Sequence, residues 1–376
     1  MSADESIETL LKWASNNSIT LNGIQPEVLP GRGIGILATR DIKAGEDILQ
    51  VPTPLLRTFD STPKTIVSRL AGATVHAILA TALSLDMNNP PEDFLPWKAV
   101  FPTKADIQTL MPLCWPLELQ DLLSDTSQDL LSKQRAKFEK DWALVSKSYP
   151  DMSREDYQYA WLLINTRTFY HTTPRTKKSL LKDDRIALQP VADLFNHSPD
   201  GCTVSYSYQG FTITTTKPAS KGEELFIRYG FHSNDFLLTE YGFILESNTS
   251  DSVCLDKYIK PLLNKEKKSM LDGRGYWGRY MLGRDGACYR TQIALRTLVL
   301  RESQWLMVLD GLRGEDVDQD AVNAILLKAL RQYLKDIEVV KAKVNDASTG
   351  DITRNTLRDR WQQIQDLIEA TVKEIA

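Results

Sequence analysis

The apolar residues change period three times along this chain, and the order of those periods constrains the fold more than any bulk property does. Over residues 31–52, GRGIGILATRDIKAGEDILQVP, Ile34, Ile36 and Ala38 alternate, and Ile48, Leu49 and Val51 follow a turn at Lys43-Ala44-Gly45-Glu46. A period near two in such short runs predicts two short strands around that turn. From Thr65 to Tyr170 the spacing becomes helical, first through Ile66, Leu70, Ala73, Ala77 and Ala80, then through a charge-rich stretch from Leu117 to Tyr149. A further helix is predicted from Ser153, whose Ser-Arg-Glu-Asp opening is a weaker form of a capping box, through Tyr157, Trp161 and Ile164.

Alternation returns between Arg185 and Ile244. Val204, Tyr206 and Tyr208 form one such run and Phe211, Ile213 and Thr215 another, around a Gln209-Gly210 turn. A second turn, Lys221-Gly222-Glu223-Glu224, leads into Leu225, Ile227 and Tyr229. After Asp251 the pattern is helical to the end, and the last helix carries Leu357, Trp361, Ile364, Ile368, Val372 and Ile375 on one face. Strands, helices, strands and helices in that order define an α+β chain: a β-rich core with a helical insert, followed by an all-α C-terminal domain. The order excludes the regular strand–helix alternation of a doubly wound sheet.

Composition narrows the function classes. Of 376 residues, 42% are hydrophobic and 25% charged, which is globular rather than disordered composition. Lys and Arg number 45 against 49 Asp and Glu, a formal charge of -4, so the chain as a whole carries no nucleic-acid-binding field. The four cysteines, Cys114, Cys202, Cys254 and Cys288, include no CxxC pair, and the four histidines show no metal-ligand spacing. The most apolar stretch, Ala71 to Leu85, is interrupted by polar residues and too short to span a bilayer, and residues 1–10 do not read as a signal peptide. A soluble intracellular protein with no metal is expected.

Three motifs carry chemistry, and each has a plain structural reading beside the functional one. Gly31, Gly33 and Gly35 suggest a dinucleotide loop, but the last glycine of that pattern would fall at Ile36, and the segment continues as strand. As turn glycines they need no ligand; the functional reading is a backbone that approaches a small molecule closely. Asp193-Leu194-Phe195-Asn196-His197-Ser198-Pro199 reads alone as an Asx-turn with a satisfied histidine. The pairs Tyr229-Gly230 and Tyr241-Gly242, with Phe243 after them, read singly as core aromatics at strand ends.

Together, in order, these segments resemble the SET-domain methyltransferases, closest to the branch typified by the Rubisco large-subunit lysine methyltransferase. The resemblance rests on five pieces: GRGIGILATRDIKAGEDILQVP, FLPWKAVFP (94–102), WLLINTRTF (161–169), ADLFNHS (192–198) and the Tyr229–Phe243 stretch. It covers residues 20–250 and, weakly, the tail. It implies a SET core split into 20–56 and 181–248 by a helical insert at 57–180, with a substrate-binding helical domain at 249–376. It implies S-adenosylmethionine as cofactor, S-adenosylhomocysteine as product and no metal.

By position, the resemblance places Arg32, Gly33, Ile34, Arg167, Asn196, His197, Tyr229, Tyr241 and Phe243 at the cofactor, with Arg167 on its carboxylate. Tyr229 and Tyr241 are the implied catalytic residues, and Phe169, Phe195 and Phe243 line the substrate channel. The implied activity is lysine N-methylation of a non-histone protein, with a ribosomal or translation-related protein as the target class. Relatives that methylate histidine have a polar residue two positions after the cofactor arginine, where this chain has Phe169. Histidine methylation and a non-catalytic SET-like binding module are the two alternatives. The cysteine-rich zinc segment of many histone-directed members is absent, and the helical tail is shorter than in the plant enzyme. A cytoplasmic or nuclear monomer is expected, with no direct nucleic-acid or membrane partner.

Overall fold

The computed structural model of the chain describes residues 2–207 and 209–376; Tyr208, the last member of one predicted alternation, lies outside the described residues. The chain forms two compact units, Met1–Gln108 with Ser132–Phe231, and Thr109–Leu131 with His232–Ala376. These divisions differ from the boundaries expected at residues 56, 180 and 248. Most of the expected insert is compact with the core strands, and residues 109–131 group with the C-terminal region.

In the first unit, strand Gly33–Ala38 pairs antiparallel with Ile24–Leu29 on one side and with Glu224–Leu225 on the other. Strand Asp47–Pro52 lies in a different sheet, between Thr20–Leu21 and Gly210–Thr214, and the latter pairs with His197–Tyr206. The two strands read from residues 31–52 are therefore real but not partners of each other. Distant chain holds the turn between them. Gly45 donates its N–H to the Thr215 carbonyl at 2.9 Å, Thr215 Oγ1 donates to the Lys43 carbonyl at 2.7 Å, and Ile42 exchanges main-chain bonds with Ala219. A third small sheet places Ile186–Leu188 between Arg57–Thr58 and Thr168–Tyr170.

The helical spacing from Ile66 to Ala80 resolves into two helices, Lys64–Arg69 and Val75–Asn88. The second starts at Thr74, whose hydroxyl accepts the Ala77 N–H at 3.0 Å, so local capping interrupts what the apolar spacing alone reads as continuous. Ser153 caps helix Arg154–Arg167 in the same way, through Asp156 N–H. Val75–Asn88 packs along Arg154–Arg167, with Ala77, Ala80, Tyr157, Trp161 and Ile164 fully buried. His76 stacks on Trp161 across the pair, centroids 4.3 Å apart, and each buried large side chain contributes about 1.5–3 kcal/mol of transfer free energy.

In the second unit, helices Gln319–Asp346 and Asp351–Ile375 pack on each other, and Val322, Leu326, Leu330 and Ile337 of one and Leu357, Ile364 and Ile368 of the other are buried. Of the predicted apolar face of the last helix, Leu357, Trp361, Ile364 and Ile368 are buried and Val372 and Ile375 half-buried. The C-terminal region is helical but not all-α: Ser252–Cys254, Met281–Gly283 and Gly286–Ala287 form a three-stranded antiparallel sheet. Runs of two or three residues are too short for a period of two to show in sequence. Among the described residues no helix is long and apolar enough to cross a membrane.

Candidate functional site

The glycine-rich motif begins as a turn. Arg32 N–H donates to the Leu29 carbonyl at 3.0 Å, with Pro30 second and Gly31 third at φ +73°, the residue order of a type II turn. A Cβ added at Gly31 or at Gly33 would meet no atom within 4 Å, so that side of the turn is open. Gly35 is the reverse case. A Cβ there would lie 2.5 Å from Leu29 Cδ1, 2.7 Å from Glu224 Oε1 and 3.0 Å from Asn196 Nδ2. Strand Gly33–Ala38 therefore lays bare backbone directly against two polar side chains.

Glu224 joins the motifs. Its Oε1 accepts from Asn196 Nδ2 at 2.8 Å, and its Oε2 pairs with Arg32 Nη1 at 2.6 Å. The Glu224 side chain is only 9% exposed, against 56% for Arg32, so the glutamate is the fixed member and the arginine reaches in from solvent. Asn196 in turn accepts Ile227 N–H on its main-chain carbonyl at 3.0 Å, and parallel bridges tie both His197 and Cys202 to Ile227. The 226–229 segment is thereby laid along the start of strand His197–Tyr206.

His197 is buried, and its Nδ1 lies 3.1 Å from Tyr229 N and 3.3 Å from the Ile227 carbonyl. An amide nitrogen can only donate, so Nδ1 carries the lone pair and the ring proton sits on Nε2. The imidazole stacks on the Tyr229 ring, with centroids 5.0 Å apart. Tyr229 is held at its other end too, because its hydroxyl donates to the Phe195 carbonyl at 2.7 Å. Phe195 itself is 1% exposed.

Arg167 ends helix Arg154–Arg167. Its Nη1 donates to the Asp193 carbonyl at 2.7 Å and lies 3.6 Å from Asp193 Oδ2. The Asp193 carboxylate is wholly buried, and Trp97 Nε1 sits 3.3 and 3.2 Å from its two oxygens. Burial pushes the Asp193 carboxyl up to about 6, with the Arg167 charge and the indole bond pulling the other way. Arg167 Nε is buried without a hydrogen-bond partner.

The structure thus brings Arg32, Asn196, His197, Phe195 and Tyr229 together and links Arg167 to them through the Asp193–His197 segment. Ile34, half-buried on strand Gly33–Ala38, opposes Val28 in the register. Phe169 has its ring on Phe211, centroids 5.1 Å apart, rather than on Tyr229. Tyr241 and Phe243 belong to the second unit, where their rings lie 6.3 Å apart at the end of helix Asn234–Tyr241. Burial pushes the Tyr241 phenol up to about 12, so it keeps its proton at neutral pH. Glu224, Asp193 and Trp97 are absent from the sequence-based set. The readable signal was an acid inside the apolar run Val191-Ala-Asp-Leu-Phe195, a position that costs free energy unless it is paired. Among the described residues no group of three or more His, Cys, Asp or Glu is placed to hold a metal.

Residues 33–230 match the family model described as the SET domain, and residues 251–374 match that of the Ribosomal lysine N-methyltransferase 2 C-terminal domain. The chain belongs to the SET-domain family. It is similar to the ribosomal lysine N-methyltransferase set11 of Schizosaccharomyces pombe, 28% identical with 96% of each chain covered. It is also similar to SET domain-containing protein 4 of Mus musculus, 26% identical over 92% of this chain and 84% of the other. The solved SET domain of LSMT bound to lysine and AdoHcy shares the fold, with a TM-score of 0.62 at 17% identity over 100% of this chain and 93% of that one.

Proposed function

We propose that the chain is an S-adenosylmethionine-dependent protein-lysine N-methyltransferase acting on a non-histone protein, with a ribosomal protein as the substrate class. One observation carries this: the segment Asp193–His197 holds Arg167 at one end and Tyr229 at the other, so an anion-binding guanidinium and an oriented phenol are built on the same five residues. The full-length similarity to a ribosomal lysine N-methyltransferase supports the choice of amine and of substrate class.

The residues fit the cofactor. Its amino-acid end carries a carboxylate, and the buried, unpartnered Arg167 Nε is a donor waiting for an acceptor. Its adenosine end needs backbone groups at close range, which the open turn at Gly31–Gly33 and the main chain around Asn196 and His197 would offer. When bound, S-adenosylmethionine supplies a methyl group on a sulfonium as the electrophile.

This chain's residues prepare the amine. The Tyr229 hydroxyl donates a hydrogen bond to the Phe195 carbonyl, which fixes the direction of its oxygen; as an acceptor for an N–H of the entering amine, that oxygen would point the amine's own lone pair. The apolar flank of Phe195 disfavours the ammonium form of an entering lysine, and water carries the proton away. Positioning of this kind, rather than a strong protein base, supplies the rate. For Tyr241 and Phe243 as channel walls, the support is the resemblance. The chain is proposed to act as a monomer in the cytoplasm or nucleus.

Calorimetric titration with S-adenosylhomocysteine tests the reading. The wild type is expected to bind, and Arg167→Ala to bind about 10- to 100-fold more weakly, the weight of a charge-assisted hydrogen bond. A folded wild type that does not bind overturns the enzyme and favours a binding module.

A further inference from the structure

The FLPWKAVFP motif enters the site through Trp97, and that tryptophan ends on the group that touches Arg167. Trp97 Nε1 reaches both oxygens of Asp193 at 3.3 and 3.2 Å, from a side chain 3% exposed. Asp193 holds Arg167 Nη1 twice, through its carbonyl at 2.7 Å and its carboxylate at 3.6 Å. Among the described residues Arg167 is the charged group that acts on this carboxylate. A guanidinium fixed along one nitrogen can rotate only with difficulty, and Nε is a buried nitrogen of this group without a hydrogen-bond partner.

We infer that Asp193, itself oriented by Trp97, is a positioning residue that turns the free edge of Arg167 toward the cofactor carboxylate. The inference rests on the cofactor reading above and adds to it the means by which the guanidinium is aimed. Trp97 and Asp193 touch neither cofactor nor substrate in this account; they act through Arg167. Three motifs distant in sequence, 94–102, 161–169 and 192–198, then serve one bond.

Charge and position pull in opposite directions here, which makes the test decisive. At the cofactor carboxylate, removing the Asp193 charge would by electrostatics alone favour binding and removing the brace would disfavour it, while any loss felt through the ligand's ammonium group would persist once Arg167 is alanine. Affinity is measured for S-adenosylhomocysteine and for 5′-methylthioadenosine, which lacks the whole amino-acid part, ammonium and carboxylate together, in wild type, Asp193→Asn, Arg167→Ala and the double variant. The account expects Asp193→Asn to weaken S-adenosylhomocysteine about tenfold, to leave methylthioadenosine within about twofold, and to have no effect once Arg167 is alanine. Tighter binding, equal loss for both ligands, or the same loss in the Arg167→Ala background overturns it. Trp97→Phe, which keeps the ring and removes the N–H, is the second variant should Asp193→Asn not fold, and the same selectivity loss is expected at smaller size. A wild type that binds neither ligand removes the cofactor reading itself, whereas binding untouched by both variants removes only the inference.

Discussion

Arg360 provides the sharpest test of how the C-terminal unit is held together. Its guanidinium is 2% exposed and meets Asp235 Oδ1 at 2.8 Å and Asp251 Oδ2 at 2.7 Å; those carboxylates are 1% and 12% exposed. Burying the three charges is tolerable only because they face one another. Replacing Arg360 by Met keeps the bulk and apolar stem but strands Asp235 with Ser127 Oγ, at 3.1 Å, as its remaining side-chain donor. Breaking a buried pair in this way costs about 3–5 kcal/mol, because the orphaned charge loses its partner without regaining water. The control is Lys260→Met in the same unit. That ion pair to Asp256 is also short, 2.8 Å, but its members are 40% and 23% exposed, and exposed pairs are worth at most about 1 kcal/mol. Urea unfolding followed by tryptophan fluorescence reads both variants, with Trp361 as a neighbouring reporter whose indole donates to the Leu122 carbonyl at 2.8 Å. Arg360→Met combined with Asp235→Leu should recover part of the loss, the remainder belonging to Asp251, which that pair of changes still leaves without its cation. If Arg360→Met costs no more than Lys260→Met, the buried network is not what fastens the last helix.

Other outcomes follow from the same geometry. Tyr229→Phe should lower the methyl-transfer rate about 10²-fold while S-adenosylhomocysteine affinity stays within about twofold, since the hydroxyl is assigned to the amine and not to the cofactor; rate and calorimetry together check this. Gly35→Ala should weaken S-adenosylhomocysteine at least about tenfold, because its Cβ meets Glu224 and Asn196 at 2.7 and 3.0 Å and pushes their bond apart. His76 controls acid sensitivity. Its Nε2 donates to the Trp161 carbonyl at 3.0 Å, Nδ1 accepts from Lys137 at 3.2 Å, and burial holds its pKa well below the usual 6.5. The unfolded chain therefore takes up a proton near pH 6.5 that the folded chain refuses, and stability falls by about 1.4 kcal/mol per unit as pH drops below that value. Asp193 runs the other way, since the folded chain is protonated at about 6 and the unfolded chain only near 3.8, so this group's contribution to stability rises as pH falls across that window. Urea midpoints of His76→Gln and wild type at each pH isolate the histidine, and the variant should show the flatter profile below pH 6.5.

Much of the fold was legible because its long elements obey one period each. Leu357, Ile364 and Ile368 mark the inner face of the last helix in sequence and are buried in the structure. What was illegible is non-local. Nothing in residues 31–52 says that Gly33–Ala38 and Asp47–Pro52 separate into different sheets, because their partners, Glu224–Leu225 and Gly210–Thr214, lie more than 150 residues away. The short sheet at Ser252–Cys254 was below the length at which alternation can be seen. The candidate site divides the same way. Asn196, His197 and Tyr229 declare themselves as motif residues, whereas Glu224 read as a turn residue and Asp193 only as the first residue of an Asx-turn segment. Their importance comes from being buried and paired, which is a property of the folded chain.

Transfer of a methyl group to a lysine of a ribosomal protein is read by mass spectrometry. Purified protein, S-adenosylmethionine and ribosomal proteins from a cell lacking this chain are incubated together, and modified peptides are sequenced. The expected result is a gain of one or more methyl groups on a lysine side chain of a ribosomal protein, abolished by Arg167→Ala. A methyl group on histidine, or none while S-adenosylhomocysteine still binds, would contradict it.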